Sequence, residues 1–207
     1  MSDLEKLKPV ELTFGKVIYQ SKTSQGISSD TTFLVETVLA EENGSQEKVL
    51  ELGSGNGVIA LMLGHYRRSW EICGIEIQDN LVQLSLENSR LCGVETAFIK
   101  ADIRDYTAEM QFSLIVSNPP YLPRDKGRIS PVYERAIARH ELLCNLADIV
   151  QCLKRNLANE GVAYILNLSE RAAEIKILVE KENLVLDKIY PELCCQKGKT
   201  SIFRIRK

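Results

Sequence analysis

From about Glu47 onward, apolar runs of strand length alternate with longer segments of helical period, the pattern of βαβ units around a parallel sheet. Lys48–Leu52 reads as a first strand and Val58–Tyr66 as its helix. Trp70–Ile77 reads as a second strand and Asn80–Leu91 as a second helix, capped by Asp79 and closed by Gly93. Thr96–Lys100 and Phe112–Ser117 read as two further strands. After a polar loop come a helical segment near His140–Leu157, a break at Gly161, the strand Val162–Leu166 and a helix over Glu170–Lys181. Two β-like runs, Leu184–Ile189 and Thr200–Ile205, are separated by Pro191-Glu192 and a turn at Gly198, which predicts a terminal hairpin on the sheet edge. The expected fold class is therefore α/β: a seven-stranded, mostly parallel sheet with helices on both faces and a terminal antiparallel strand.

Before Glu47 the alternation in Leu12–Tyr19 suggests a small hairpin, and Thr31–Ala40 a helix capped by Ser29 or Asp30. Two readings stand for this segment: a cover over a ligand site, or simple packing on the first helix. Residues 1–45 are thus an N-terminal extension and 46–207 the main domain, since 207 residues suit one domain with a large core. Hydrophobic content of 44% and charged content of 26% are those of a globular protein. The first residues lack a signal-peptide core, and the longest apolar run, Val58–Leu63, is too short to cross a bilayer, so a cytoplasmic location is expected. Six cysteines without a C-x-x-C pair and two distant histidines, His65 and His140, give no metal-ligand spacing, so no metal is expected.

Glu51-Leu52-Gly53-Ser54-Gly55-Asn56-Gly57 lies where the first strand turns into the first helix, and glycines at alternate positions let a ligand approach the backbone. The spacing differs from the dinucleotide G-x-G-x-x-G, and Glu51, two positions before the first glycine, would repel a pyrophosphate while suiting a cationic amino acid. Glu76, with Ile77 beside it, closes the second strand about twenty residues past the glycines, where a carboxylate can accept from both ribose hydroxyls. Asp102-Ile103 follows the third strand, where a carboxylate could accept from an adenine amino group while the isoleucine covers the ring. The ligand read from these positions is a nucleoside.

Asn118-Pro119-Pro120-Tyr121 ends the fourth strand. An Asn carbonyl and a fixed prolyl carbonyl can accept both hydrogens of a planar NH2 group, and the tyrosine ring offers a face for stacking. By itself the tetrapeptide reads equally well as a proline turn. Net charge is −2, yet Tyr121–His140 carries Arg124, Lys126, Arg128, Arg135 and Arg139 against Asp125 and Glu134, and Lys197–Lys207 carries five cations and no anion. Such stretches serve either as solvated faces or as phosphate contacts.

Taken in order, glycine loop, ribose acid, adenine acid and Asn-Pro-Pro-Tyr resemble the class I S-adenosylmethionine-dependent methyltransferases, over about Lys48–Leu168. The resemblance implies a Rossmann-like fold and S-adenosyl-L-methionine as cofactor. It places Asp30 near the donor's amino-acid end, Gly53, Ser54, Gly55 and Gly57 beneath it, and the transferred methyl facing Asn118. In that superfamily the Asn-Pro-Pro-Tyr form belongs to enzymes that methylate adenine N6 in DNA or RNA or the side-chain amide of glutamine in release factors. Gly26–Thr32 and Glu134–Glu141 further resemble the bacterial tRNA1(Val) (adenine(37)-N6)-methyltransferase family. That resemblance implies N6-methylation of a tRNA adenine, with tRNA as partner and with Arg124, Lys126, Arg128, Arg135 and Arg139 at its phosphates. The release-factor enzymes add a sizeable N-terminal helical domain, against fewer than fifty residues before the first strand here, and stand as one alternative, with adenine-N6 methylation of DNA or ribosomal RNA as the other.

Overall fold

The computed structural model describes residues 7–22, 27–121, 143–192 and 199–207. Leu7–Glu11 (β1) and Val17–Ser21 (β2) pair antiparallel as a hairpin, and Ser29–Glu41 (α1) follows. The alternating stretch Leu12–Tyr19 straddles the turn rather than supplying both strands. Gly15, at φ +74, donates to the Leu12 carbonyl at 2.9 Å, and Leu12 itself is buried in the turn. The helix begins at Ser29 with Ser28 as its N-cap residue, so Asp30 lies in the first turn.

The chain continues as Lys48–Leu52 (β3), Val58–Tyr66 (α2), Glu71–Glu76 (β4), Asp79–Cys92 (α3), Ala97–Lys100 (β5), Phe112–Ser117 (β6), Leu146–Asn156 (α4), Leu157–Leu168 (β7), Ala172–Lys181 (α5), Val185–Pro191 (β8) and Thr200–Arg206 (β9). Among the described residues seven strands form one sheet in the order β5-β4-β3-β6-β7-β9-β8. Pairing is parallel from β5 through β7 and antiparallel on both sides of β9. β9 is therefore inserted between β7 and β8, and β8 takes the edge. The strand expected to begin after a break at Gly161 already pairs at Leu157, with a register shift in which Glu160 adopts φ +66. The helix expected from near His140 starts at Leu146, with Asn145 and Asp148 forming a capping box; residues 140–142 lie outside the described set.

Alternate strand positions feed two cores. Val49, Leu114, Val116, Tyr164 and Leu166 pack against α1, α2 and the hairpin, while Leu50, Leu52, Ile115, Ala163 and Ile165 pack against α4 and α5. Each fully buried Leu or Ile contributes roughly 1.5–3 kcal/mol. In α2 every residue from Val58 to Gly64 is buried, which fixes the helix that carries the glycine loop. The end of α1 is tied to the sheet by charge. Arg204 on β9 reaches Asp187 and Glu42, at 3.3 Å for the latter, and donates to the Tyr164 hydroxyl at 2.9 Å.

Strand order reverses between β3 and β6, because β4 lies to one side of β3 and β6 to the other. Ligands bind outside the carboxyl ends of strands at such a switch point. Here it is flanked by Gly53, just after β3, and Asn118, just after β6.

Candidate active site

Gly53 and Gly55 have φ of +72 and +55, a region costly for side-chain-bearing residues. A Cβ at Gly55 would meet nothing within 4 Å, and one at Gly53 would meet only Ile103 Cδ1 at 4.0 Å, so the loop leaves an open bowl. The Gly53 and Ser54 amides donate to the Ile75 carbonyl at 2.9 and 3.0 Å, which pins the loop to β4. Gly57 is required for space as well: a Cβ there would come within 2.8 Å of Phe98 Cζ and 3.0 Å of Ser85 Cβ.

The bowl opens into a cavity of about 160 Å³ whose wall contains Gly53, Gly55, Glu76, Ile77, Asp102, Ile103, Asn118, Pro119 and Pro120. Leu52, Gln78, Leu81, Ala101, Leu143, Cys144 and Ile149 complete it. A wider, open groove of about 1090 Å³ along β5 and the loop to Phe112 carries none of the candidate site residues.

Glu76 is held by backbone: Oε2 accepts from the Gly55 amide at 3.0 Å and Oε1 from the Gln78 amide at 2.9 Å. Each carboxylate oxygen keeps a lone pair for a further donor, as recognition of a diol requires. Asp102 is engaged by Arg104, whose Nε donates to both carboxylate oxygens at 3.0 Å, and this hydrogen-bonded pairing lowers the Asp102 pKa. Glu51 turns away from the cavity. It is 2% exposed and accepts from the Ala60 amide at 3.0 Å, capping the first turn of α2 from below the loop. Burial pushes its carboxyl up to about 8, the charge of Glu76 adds to the rise, and the Ala60 hydrogen bond opposes it.

Asn118 is held at both ends of its amide. The Tyr121 hydroxyl donates to Oδ1, and Nδ2 donates to Thr31 Oγ1 at 3.5 Å. Asp30 is not among the residues of the cavity wall, and the Thr200 hydroxyl lies 3.5 Å from its Oδ1. Burial first, then the charge of Glu192, raises the Asp30 pKa. Tyr121 is likewise raised, chiefly by burial and then by Asp30, so it stays a hydroxyl. Its main-chain carbonyl accepts from Arg171 at 3.3 Å.

Thr31, Arg104, Glu192 and Thr200 carry no site role in the sequence reading. Thr31 lies within the Gly26–Thr32 segment, whereas Glu192 and Thr200 read only as parts of the terminal hairpin. Arg124, Lys126, Arg128, Arg135 and Arg139 lie outside the described residues. Among the described residues no group of three or more His, Cys, Asp or Glu side chains is placed to hold a metal, and no helix is long and apolar enough to cross a membrane.

The described wall suits a nucleoside: bare glycine backbone, a carboxylate with a lone pair free on each oxygen, and a second carboxylate beside Ile103. Residues 23–143 match the family described as methyltransferase small domain. The chain is 35% identical over 97 residues to the release factor glutamine methyltransferase of Lactococcus lactis subsp. lactis, covering 47% of this chain and 36% of that protein. It is 32% identical over 125 residues to the tRNA1(Val) (adenine(37)-N6)-methyltransferase of Actinobacillus pleuropneumoniae serotype 5b, covering 58% of this chain and 52% of that protein. The chain thus spans between about a quarter and a half of the length of the curated relatives it matches. Among solved structures, the Pyrococcus abyssi tRNA (uracil-54, C5)-methyltransferase in complex with S-adenosyl-L-homocysteine aligns with a TM-score of 0.65 at 16% identity, over 98% of this chain and 44% of that one.

Proposed function

The chain belongs to the methyltransferase small domain family, and from that premise we propose that it methylates the exocyclic amino group of an adenine in RNA, with adenine 37 of tRNA1(Val) as the target. S-adenosylmethionine is the cofactor, and when bound it supplies a methyl carbon activated by a sulfonium sulfur. Glu76 would accept from its ribose hydroxyls through the lone pairs left by Gly55 and Gln78, and Asp102 with Ile103 would meet its adenine. The observation that carries the acceptor reading is the amide of Asn118 on the cavity wall beside Pro119, with Oδ1 fixed by the Tyr121 hydroxyl.

An adenine N6 is a weak nucleophile because its lone pair is delocalised into the ring. Hydrogen bonds from its two hydrogens to Asn118 Oδ1 and the Pro119 carbonyl favour a pyramidal nitrogen with its lone pair directed into the cavity. Asn118 Oδ1 has two lone pairs and can receive the amino group while holding Tyr121. Positioning then supplies much of the rate, since effective molarities of oriented partners reach about 10⁵ M. The methylated nitrogen is strongly acidic and gives its proton to solvent. Tyr121 would stack on the extruded base, worth roughly 1–3 kcal/mol, and the cations Arg124, Lys126, Arg128, Arg135 and Arg139 would hold phosphates.

The tRNA reading rests on the basic segment after Tyr121, because the shared stretches do not separate the readings: release factor enzymes match over 97 and 131 residues and the tRNA enzyme over 125. Glutamine N5 of a protein presents the same planar NH2 group, and the 35% identity to a release factor enzyme favours it as the second reading. Labelled methyl donor added to a cell extract separates the two: label in N6-methyladenosine of the tRNA fraction supports the first, and label in protein overturns it. In either case Asn118→Ala should lower transfer roughly 100-fold, as loss of one preorganised hydrogen-bonding group does elsewhere.

A further inference from the structure

Residues 101–111, between β5 and β6, form neither helix nor strand, yet they bring Ala101, Asp102 and Ile103 to the cavity wall. Within this loop the Asp105 and Tyr106 amides both donate to the Asp102 carbonyl, at 3.1 and 2.9 Å, which closes one tight turn. The carbonyls that follow meet the last two residues of α4. Arg155 Nη2 donates to the Ile103 carbonyl at 2.8 Å and to the Arg104 carbonyl at 2.9 Å, and Nε donates to the Tyr106 carbonyl at 3.3 Å. Asn156 donates through Nδ2 to the Tyr106 carbonyl at 3.1 Å and accepts through Oδ1 from the Ala108 amide at 2.8 Å.

An irregular segment has no ladder of its own to occupy its carbonyls, so their donors must come from elsewhere. A guanidinium is planar and carries its donors in a fixed fork, so two successive carbonyls on Arg155 set the tilt of the Ile103–Arg104 peptide. Asn156 is buried and also donates to the Cys152 carbonyl at 3.0 Å, one turn back in the helix, so its amide cannot rotate without losing partners. The helix end is itself held: Lys207 Nζ donates to the Lys154 and Leu157 carbonyls at 3.2 and 2.6 Å. Because α4 also contributes Ile149 to the cavity wall, one helix fixes where Ile149 stands and where Asp102 and Ile103 stand.

We propose that Arg155 and Asn156 set the base specificity of the donor cavity: by holding the main chain of Ile103 to Ala108 against the end of α4, they keep the Asp102 carboxylate and the Ile103 side chain at one distance from Ile149, where a purine with an exocyclic amino group fits. Both are positioning residues, acting through Asp102 and Ile103, and the assignment rests on the reading that the donor's adenine lies there. The Arg104 side chain grips the Asp102 carboxylate while the Arg104 carbonyl hangs from Arg155, so the acid and its partner stay in place only as long as the clamp does. The near end of the loop has its own anchor, since the Ala101 amide donates to the Glu76 carbonyl at 3.0 Å, and the Glu76 carboxylate is held by the Gly55 and Gln78 amides. Release of the clamp therefore costs the contact to the base amino group and spares the contact to the ribose.

The test uses the intact chain and calorimetric affinities for two ligands, S-adenosylhomocysteine and its analogue with unsubstituted purine in place of adenine. Wild type should prefer the adenine ligand roughly 10- to 100-fold, the range for a hydrogen bond to a charged group. In Arg155→Met and Asn156→Ala the preference should shrink to roughly threefold or less, because the adenine ligand loses that hydrogen bond and the purine ligand has none to lose. Two controls separate this from general damage. Glu76→Gln should weaken both ligands together and keep the preference. Lys207→Met, which loosens the same helix end without touching the loop, should lower the melting temperature and keep the preference as well. Should Asn156→Ala fail to fold, the half-buried Arg155 carries the test alone. A wild-type preference that survives in Arg155→Met overturns the clamp, and so does a preference that collapses equally in Lys207→Met. A wild-type protein that binds the two ligands equally would instead remove the reading of Asp102 as the adenine acid, and the specificity assignment with it.

Discussion

Tyr19 and Asn88 exchange a reciprocal pair of hydrogen bonds: the Tyr19 amide donates to Asn88 Oδ1 at 2.8 Å, and Asn88 Nδ2 donates to the Tyr19 carbonyl at 2.9 Å. The second Nδ2 hydrogen goes to the Asn56 carbonyl at 3.0 Å. A fully buried side chain on α3 thereby joins the hairpin strand β2 to the glycine loop.

Asn88→Ala removes the partner of the Tyr19 amide, the Tyr19 carbonyl and the Asn56 carbonyl, all part-buried. At roughly 1 kcal/mol for each such hydrogen bond, a loss of about 2–4 kcal/mol is expected in urea unfolding. Affinity for S-adenosylmethionine should fall with it, because Asn56 belongs to the loop proposed to lie under the donor. A variant whose unfolding midpoint stays at the wild-type value would show that the hairpin carries no load for this loop.

Glu51 gives a stability prediction with a definite sign. Its folded carboxyl titrates at about 8, above its ordinary value of 4.5, so the folded state binds more protons than the unfolded one between those limits. The associated stability is complete below the unfolded pKa and disappears as pH rises through about 8. Glu51→Gln keeps an oxygen for the Ala60 amide and carries no charge to bury. In thermal unfolding without donor, its melting temperature should gain on wild type steadily from about pH 5 to pH 9. A constant difference across that range would rule the buried acid out as the source.

Glu76 serves two backbone amides and, in the proposed complex, two hydroxyls. Glu76→Gln retains only one acceptor oxygen and turns an NH2 toward the Gly55 or Gln78 amide. Calorimetric affinity for S-adenosylmethionine should fall roughly 10- to 100-fold, the range for hydrogen bonds to a charged group. Retention of wild-type affinity would move the ribose elsewhere.

Asp102 and Arg104 should respond in opposite directions. Arg104 occupies both oxygens that an adenine amino group would use. Asp102→Asn is expected to weaken donor binding, whereas Arg104→Ala removes a competitor and leaves binding equal or tighter. Arg104→Ala should also return the Asp102 carboxyl toward its ordinary range, since the arginine hydrogen bonds are the main cause of its lowering. Weaker binding in both variants would mean that the ion pair itself shapes the site.

The parts of this protein that the sequence made legible were those with local signals. β3, α2 and β6 begin and end where their apolar runs do, and the loop glycines, Glu76 and Asp102 sit on strand ends that periodicity alone locates. What stayed hidden depended on pairing across the sheet. Glu51 lies on a strand buried on both faces, so alternation could not say that its carboxyl turns under α2 and away from the cavity. Glu192, Thr200 and Asp30 meet only because β9 and α1 flank the same strand ends, a relation between segments far apart in the chain.

The insertion of β9 between β7 and β8 also sets an order of events during synthesis. Both neighbours leave the ribosome before the strand that joins them, so the slot between them stays open until residues 200–206 emerge. Thr200 arrives with that strand and brings the bridge between Asp30 and Glu192. The glycine bowl can therefore form on a nascent chain well before Thr200 closes the contact between Asp30 and Glu192.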